Sequence, residues 1–248
     1  MSFESWQWAL LMCGALLVGI SKTGIAGIGM LFVVIFSQIM PAKQATGLVL
    51  PLLCFGDFVA VLSYRQHAAW PHLWRLFPWT AGGVVIGYFA LGRLDNREAT
   101  LLVGAIVLTL VLTHIWRRWR GGGHETEHGV WFAPMIGVLA GFTTLVANAA
   151  GPLMAVYLLA MRLPKMEYVG TAAMFFMLLN LFKVPFMVHL GLINEFSFSL
   201  NLKLAPFVLL GALIGRKILT RINQRWFENI ALTLSALAGA RLLMQGLR

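Results

Sequence analysis

Polar and charged residues are what this chain has least of. Only 11% of its 248 residues are charged and 59% are hydrophobic, with a mean hydropathy of +0.80. So little polar surface cannot cover a soluble domain of this length. Acidic residues are fewer than basic ones, 9 against 19. The basic excess does not point to nucleic acid, because it stands at the ends of apolar runs, as membrane topology requires, and not along one polar face. Cysteine is almost absent: Cys13 and Cys54 lie inside apolar runs and read as small buried hydrophobes. No basic stretch precedes the first apolar run; MSFESWQW carries Glu4 instead, against a cleaved signal peptide. A phosphate-binding loop, an HExxH pair and a nucleophile elbow are missing too. ATP hydrolysis and the common membrane hydrolase chemistries therefore have no carrier. The expectation is a protein that is no enzyme and needs no cofactor or metal.

What is present is a series of apolar runs, most long enough to cross about 30 Å of hydrocarbon, which takes roughly 20 helical residues. Ten segments are expected in an all-α integral membrane protein, five in each half. They run over 6–20, 24–40, 44–64, 75–92 and 98–116, then over 131–145, 149–161, 166–190, 200–215 and 226–245. Trp6, Trp8, Trp70, Trp74, Trp79, Trp116, Trp119, Trp131 and Trp226 fall at or near segment ends, where indole rings favour the bilayer interface. The Gly-rich link GGGHETEHG (121–129) divides a first membrane repeat, 1–120, from a second, 130–248. His124 and His128 within it have a spacing a helix would turn into a metal pair, but they read as part of a solvated loop. His67, His72, His114 and His189 take no role.

The halves repeat one another. Gly19 and Gly29 match Gly141 and Gly151 at a spacing of 122, and Gly47, Asp57 and Gly92-Arg93 match Gly170, Asn180 and Gly215-Arg216 at 123. Internal duplication of this kind marks secondary transporters. An odd number of crossings per half makes the repeats inverted. It places Arg65, Arg75, Arg117, Arg118, Arg120, Arg162, Lys165, Arg216, Lys217, Arg221 and Arg225 on one side, against Lys43, Arg93, Arg97, Lys203, Arg241 and Arg248 on the other. Fusing the first two segments of each half would level that bias, so inverted repeats with both termini outside are expected. A re-entrant first pair in each half gives the same parity.

The apolar stretch from Trp6 to Met40 is about 52 Å long as a helix, too long for one crossing. Its middle, GISKTGIAGIG (19–29), carries Ser21, Lys22, Thr23, Gly24, Gly27 and Gly29. The twin stretch GFTTLVANAAGP (141–152) carries Thr143, Thr144, Asn148 and Gly151. Paired interruptions in corresponding positions are the best pointer to a binding site at the bilayer midplane. The segment after each break offers free N–H groups and a positive dipole end to an anion. Lys22 adds a full charge, and the hydroxyl and amide groups add neutral donors. Close helix packing accounts for the glycines equally well. It does not account for Lys22, which costs about 2.5–3.5 kcal/mol or more at mid-bilayer unless paired or solvated; snorkelling to the interface is the alternative.

Asp57 and Lys183 are the other ionisable residues inside apolar runs. Asn180, the match of Asp57, lies three residues before Lys183 on roughly the same helix face. A contact between Asp57 and Lys183 is expected, serving either coupling and gating or structure alone.

These motifs, with Pro41-x-Lys43, PLLCFGD ending at Asp57, and GTAAMFFMLLNLFK (170–183), resemble the sulfite exporter TauE/SafE family, also called the toluene sulfonate uptake permease family. The likeness covers nearly the whole chain. It implies a multi-pass carrier of the bacterial inner membrane for small sulfur-containing anions, such as sulfite, sulfonates or related organosulfur compounds. Family members are described with about eight spans, which half-helices in each first pair would reconcile with ten segments. The second break has no counterpart of Lys22. The reading is thus a secondary transporter working by alternating access, its partners being a small anion, the lipid bilayer and a coupling ion, H⁺ or Na⁺. An anion channel and a membrane-embedded enzyme are the alternatives.

Overall fold

The computed structural model describes residues 3–24, 32, 35, 36, 39, 42–91, 96–119 and 130–247. Regular structure among them is entirely helical: α1 Ser5–Thr23, α2 Ala42–Tyr64, α3 Trp70–Leu91, α4 Asn96–Trp119, α5 Phe132–Ala147, α6 Ala150–Ala160, α7 Lys165–His189, α8 Glu195–Arg221 and α9 Gln224–Leu247, with a short 3-10 turn at Arg65–His67. Gly27, Gly29, Gly92, Arg93 and the link 121–129 lie outside the described residues, as does most of the expected second segment.

Among the described residues, four stretches are long and apolar enough to cross a membrane: Ala45–His67, Lys165–His189, Glu195–Arg221 and Gln224–Leu247. The chain is a multi-pass membrane protein. Local chemistry sets the helix starts. The N–H of Glu4 donates to the Gln7 side chain at 2.9 Å, capping α1. Asn194 and Ser197 cap α8 reciprocally, at 3.0 Å and 2.9 Å. Pro71 stands in the first turn of α3, where its missing N–H costs nothing; that helix begins five residues before the expected 75.

The chain folds as two compact units that cut across the sequence halves. The first holds residues 1–68 and 169–223, hence α1, α2, α8 and all of α7 beyond its first turn. The second holds 69–168 and 224–248, hence α3 to α6 and α9. Each unit draws helices from both halves.

In the first unit α1 and α8 lie side by side in parallel: a side chain at Gly19 would run into the Val208 carbonyl, one at Gly211 into that of Leu16, and one at Gly215 into that of Ile20. The second unit repeats this with α5 and α3. A side chain at Gly141 would meet the Thr80 carbonyl, one at Gly83 that of Val138, and one at Gly87 that of Phe142. Each contact of one unit maps onto the other, Gly19 to Gly141 at the expected 122 but Gly83 and Gly87 to Gly211 and Gly215 at 128. Pro78 and Pro206, inside α3 and α8, keep the same spacing of 128. The expected match of Gly92-Arg93 to Gly215-Arg216 is therefore corrected: Gly87 is the packing counterpart of Gly215, five residues having been added before α8.

Two further pairs run antiparallel. Gly47 at the start of α2 abuts Leu192 just past α7, while Gly170 at the start of α7 abuts Tyr64 and His67 at the end of α2. In the second unit α4 and α9 pair Leu101 with Gly246, Gly104 with Leu243 and Leu108 with Gly239. Arg97 extends that pairing by donating to the Gly246 carbonyl at 2.9 Å, satisfying an end of α9.

Helix contact through small residues predicts a graded response. Gly141→Ala should destabilise the detergent-solubilised protein by about 1–3 kcal/mol. Gly82→Ala, where added atoms meet open space, should be neutral or stabilising by up to about 1 kcal/mol. Thermal unfolding measures both, and equal effects would contradict the packing.

Candidate functional site

Helix α1 does not break at the polar residues. Ser21, Lys22 and Thr23 form its last turn, and it ends at Gly24, whose N–H bonds the Ile20 carbonyl at 2.9 Å. It persists because its hydroxyl finds partners: Thr23 Oγ1 contacts the Gly19 carbonyl at 3.1 Å and the Ala212 carbonyl of α8 at 2.7 Å. The Tyr64 hydroxyl donates to the Thr23 carbonyl at 2.9 Å. The end of α1 is thus pinned to α2 and α8, and the direction of Lys22 is set.

Lys22 reaches α2, where its Nζ stands 2.7 Å from Oδ1 of Asp57. The Asn180 amide of α7 donates to Oδ2 of the same carboxylate at 2.6 Å. Lys22 Nζ also lies 4.5 Å from the centre of the Phe176 ring, a cation–π distance. Lys183, fully buried one turn beyond Asn180, is within Coulombic reach of Lys22 and Asp57. Asp57 is thus ion-paired with Lys22, a partner the sequence did not suggest, while Lys183 acts on it within Coulombic reach. Position in the helix favours this, because Lys22 sits at the negative dipole end of α1.

The four polar residues of this cluster differ in access. Asp57 and Lys183 are wholly buried and Asn180 is 2% exposed, whereas the Lys22 side chain retains 10%. Lys22 is the most exposed member of the cluster. The cluster holds two cationic groups and one anionic group, a formal net charge of +1 on these residues. Burial of such a set is costly unless each charge is paired and hydrogen-bonded.

The twin break lies in the second unit. Asn148 adopts the left-handed region, φ 49° and ψ 33°, and closes α5. Helix α6 restarts at Ala150 with only 11 residues, too short to span a bilayer alone. Gly151 in its first turn faces open space. Thr143 and Thr144 are buried, the Thr143 hydroxyl contacting the Ala140 carbonyl at 3.3 Å. Thr23 and Thr143 therefore spend their hydroxyl protons on backbone carbonyls, and their place is in helix packing. Phe176 and Tyr64 were not anticipated from the sequence. Their signal was position, since Phe176 stands four residues before Asn180 and Tyr64 seven after Asp57, both on the cluster-facing side of their helices.

The family profile described as sulfite exporter TauE/SafE matches residues 11–242. The chain belongs to the sulfite exporter TauE/SafE family. No curated protein and no solved structure matches it. Membership makes this chain one of a family of membrane transporters of sulfur-containing anions, and the match runs from α1 into α9, across both breaks and the whole charge cluster.

Removing one member of the cluster should cost more than removing a pair. Asp57→Asn or Lys22→Gln alone leaves a buried charge unmatched, an expected loss of about 3–5 kcal/mol. The double variant should recover a substantial part of it. Thermal unfolding of the three variants decides, and additive losses would refute the pairing.

Proposed function

We propose that this protein is a secondary transporter of a small sulfur-containing anion, sulfite, a sulfonate or a relative, and that Lys22 is its principal anion-binding group. The observation that carries the reading is the net positive charge of a buried cluster whose most accessible member is Lys22. An ion pair that served structure alone would have no use for a second buried lysine. Lys183 tips the balance toward an anion. Ser21 adds a hydroxyl one residue from Lys22, and Gly24, packed against Gly215 of α8, ends the helix beside it. In the twin break, Thr144, Asn148, Gly151 and the N–H groups that start α6 form a second polar interruption of a kind that suits an anion.

Two repeats of opposite orientation are a common basis of alternating access, and helix directions support that arrangement. Sequence-equivalent α2 and α7 run antiparallel in the first unit, as do α4 and α9 in the second. Equivalent helices crossing a membrane in opposite senses are what inversion means. Inverted repeats of five segments, the first pair of each broken, place both termini on the periplasmic face of a bacterial inner membrane by the positive-inside bias. Asp57, Asn180 and Lys183 then lie where the two repeats meet and serve coupling and gating.

Sulfite, methanesulfonate and sulfate titrated onto purified protein test the assignment. Binding of at least one is expected, weakened at least tenfold by Lys22→Gln in an Asp57→Asn background that keeps no unmatched ion pair. Lys203→Gln, whose ammonium lies against Trp8 instead, should leave affinity unchanged. Undiminished affinity without Lys22 would overturn the reading.

A further inference from the structure

We infer that Asp57 is a resident anion that holds Lys22 until the transported anion replaces it, and that the replacement loads one proton onto Asp57. This rests on the reading of Lys22 as the anion-binding group. In the structure the carboxylate already occupies the ammonium at 2.7 Å, so an anion can bind Lys22 strongly only by displacing it. The partner that swings is the Lys22 side chain: its backbone stays pinned in the last turn of α1, but its long aliphatic stem keeps 10% exposure, whereas the short Asp57 and Asn180 side chains are buried within α2 and α7. Once Lys22 turns to the external anion, the fully buried carboxylate loses its direct ion-pair partner, keeps only the Coulombic reach of Lys183, and is neutralised by a proton.

Asn180 supports both states of Asp57. Its amide donates to the ionised carboxylate at 2.6 Å, and the same amide carries an oxygen that accepts from a carboxylic acid. A second aspartate at this equivalent position would serve neither role as well. The other groups facing Asp57 are accounted for: Lys22 from α1, Lys183 from α7, and Cys54 one turn earlier on α2, within Coulombic reach. Helix α8 brings the apolar Val208 beside Gly56.

The charge balance closes. Before binding, the cluster holds Lys22, Lys183 and the carboxylate; afterwards it holds Lys22, Lys183, a monoanion and a neutral acid. Its net charge is unchanged, so the empty and loaded forms meet the same electrostatic cost of reorientation. The coupling ion is thereby assigned as H⁺, moving with the anion.

Methanesulfonate remains a monoanion across neutral pH and is the probe. Proton uptake on binding is measured by calorimetry in buffers of different ionisation enthalpy. For wild type we expect about one proton taken up per anion, with affinity falling about tenfold for each unit rise in pH. Asp57→Asn should bind with no proton uptake and a flat pH profile. Binding to wild type without proton uptake would overturn this inference and leave the anion site standing; so would uptake that persists in Asp57→Asn. Failure of sulfite, methanesulfonate and sulfate alike to bind at any pH would remove both.

Discussion

An ammonium and a carboxylate 2.7 Å apart, both inside a bundle of apolar helices, set the terms for everything around them. Each is too expensive to bury alone. The pair therefore requires helices close enough to deliver Lys22 from α1, Asp57 from α2 and Asn180 from α7 to one point. Glycine contacts supply that closeness along α1 and α8, and the Thr23 and Tyr64 hydrogen bonds fix the end of α1 from which Lys22 projects. The apolar core of the same unit, built on Leu11, Val18, Leu52 and Val208 among others, keeps the surroundings dry. A dry setting strengthens the pair and makes its exchange for an external anion a consequential event.

Duplication and its violation carry the functional logic. The packing of α1 on α8 is copied, glycine for glycine, by α5 on α3. Symmetry fails at the charges. By the 122 and 123 spacings Lys22 corresponds to Thr144, Asp57 to Asn180 and Lys183 to Ala60. The scaffold is doubled while the ionisable chemistry is single. This fits one cationic group acting from one repeat, with neutral donors supplied by the other.

Much of this was legible in the sequence. Apolar runs marked the helices, because nothing else satisfies backbone groups in lipid. Lys22, Asp57, Asn180 and Lys183 stood out because polar residues inside such runs are rare. Their partners were harder to read. Spacing shows which residues share a helix face but not which helix end reaches across, so Asp57 was matched to Lys183 and its ion pair with Lys22 at the end of α1 was not foreseen. The end of α1 was itself placed at 20, three residues early, because the glycines at 19 and 24 read as weakening a helix that in fact continues to Thr23, held there by the Ala212 carbonyl. In α3 and α8 the spacing of Pro78, Gly83 and Gly87 recurs in Pro206, Gly211 and Gly215. A chance Gly-Arg match at 123 obscured it.

The chain belongs to a transporter family, and the proposed function is that of a carrier that binds its anion and exchanges access between two sides. Counterflow in proteoliposomes examines that claim most directly. Vesicles loaded with unlabelled sulfite or methanesulfonate should accumulate the labelled anion transiently, with a rate that saturates and rises with the internal concentration. Uptake that stays linear with concentration and ignores the internal anion would contradict a carrier.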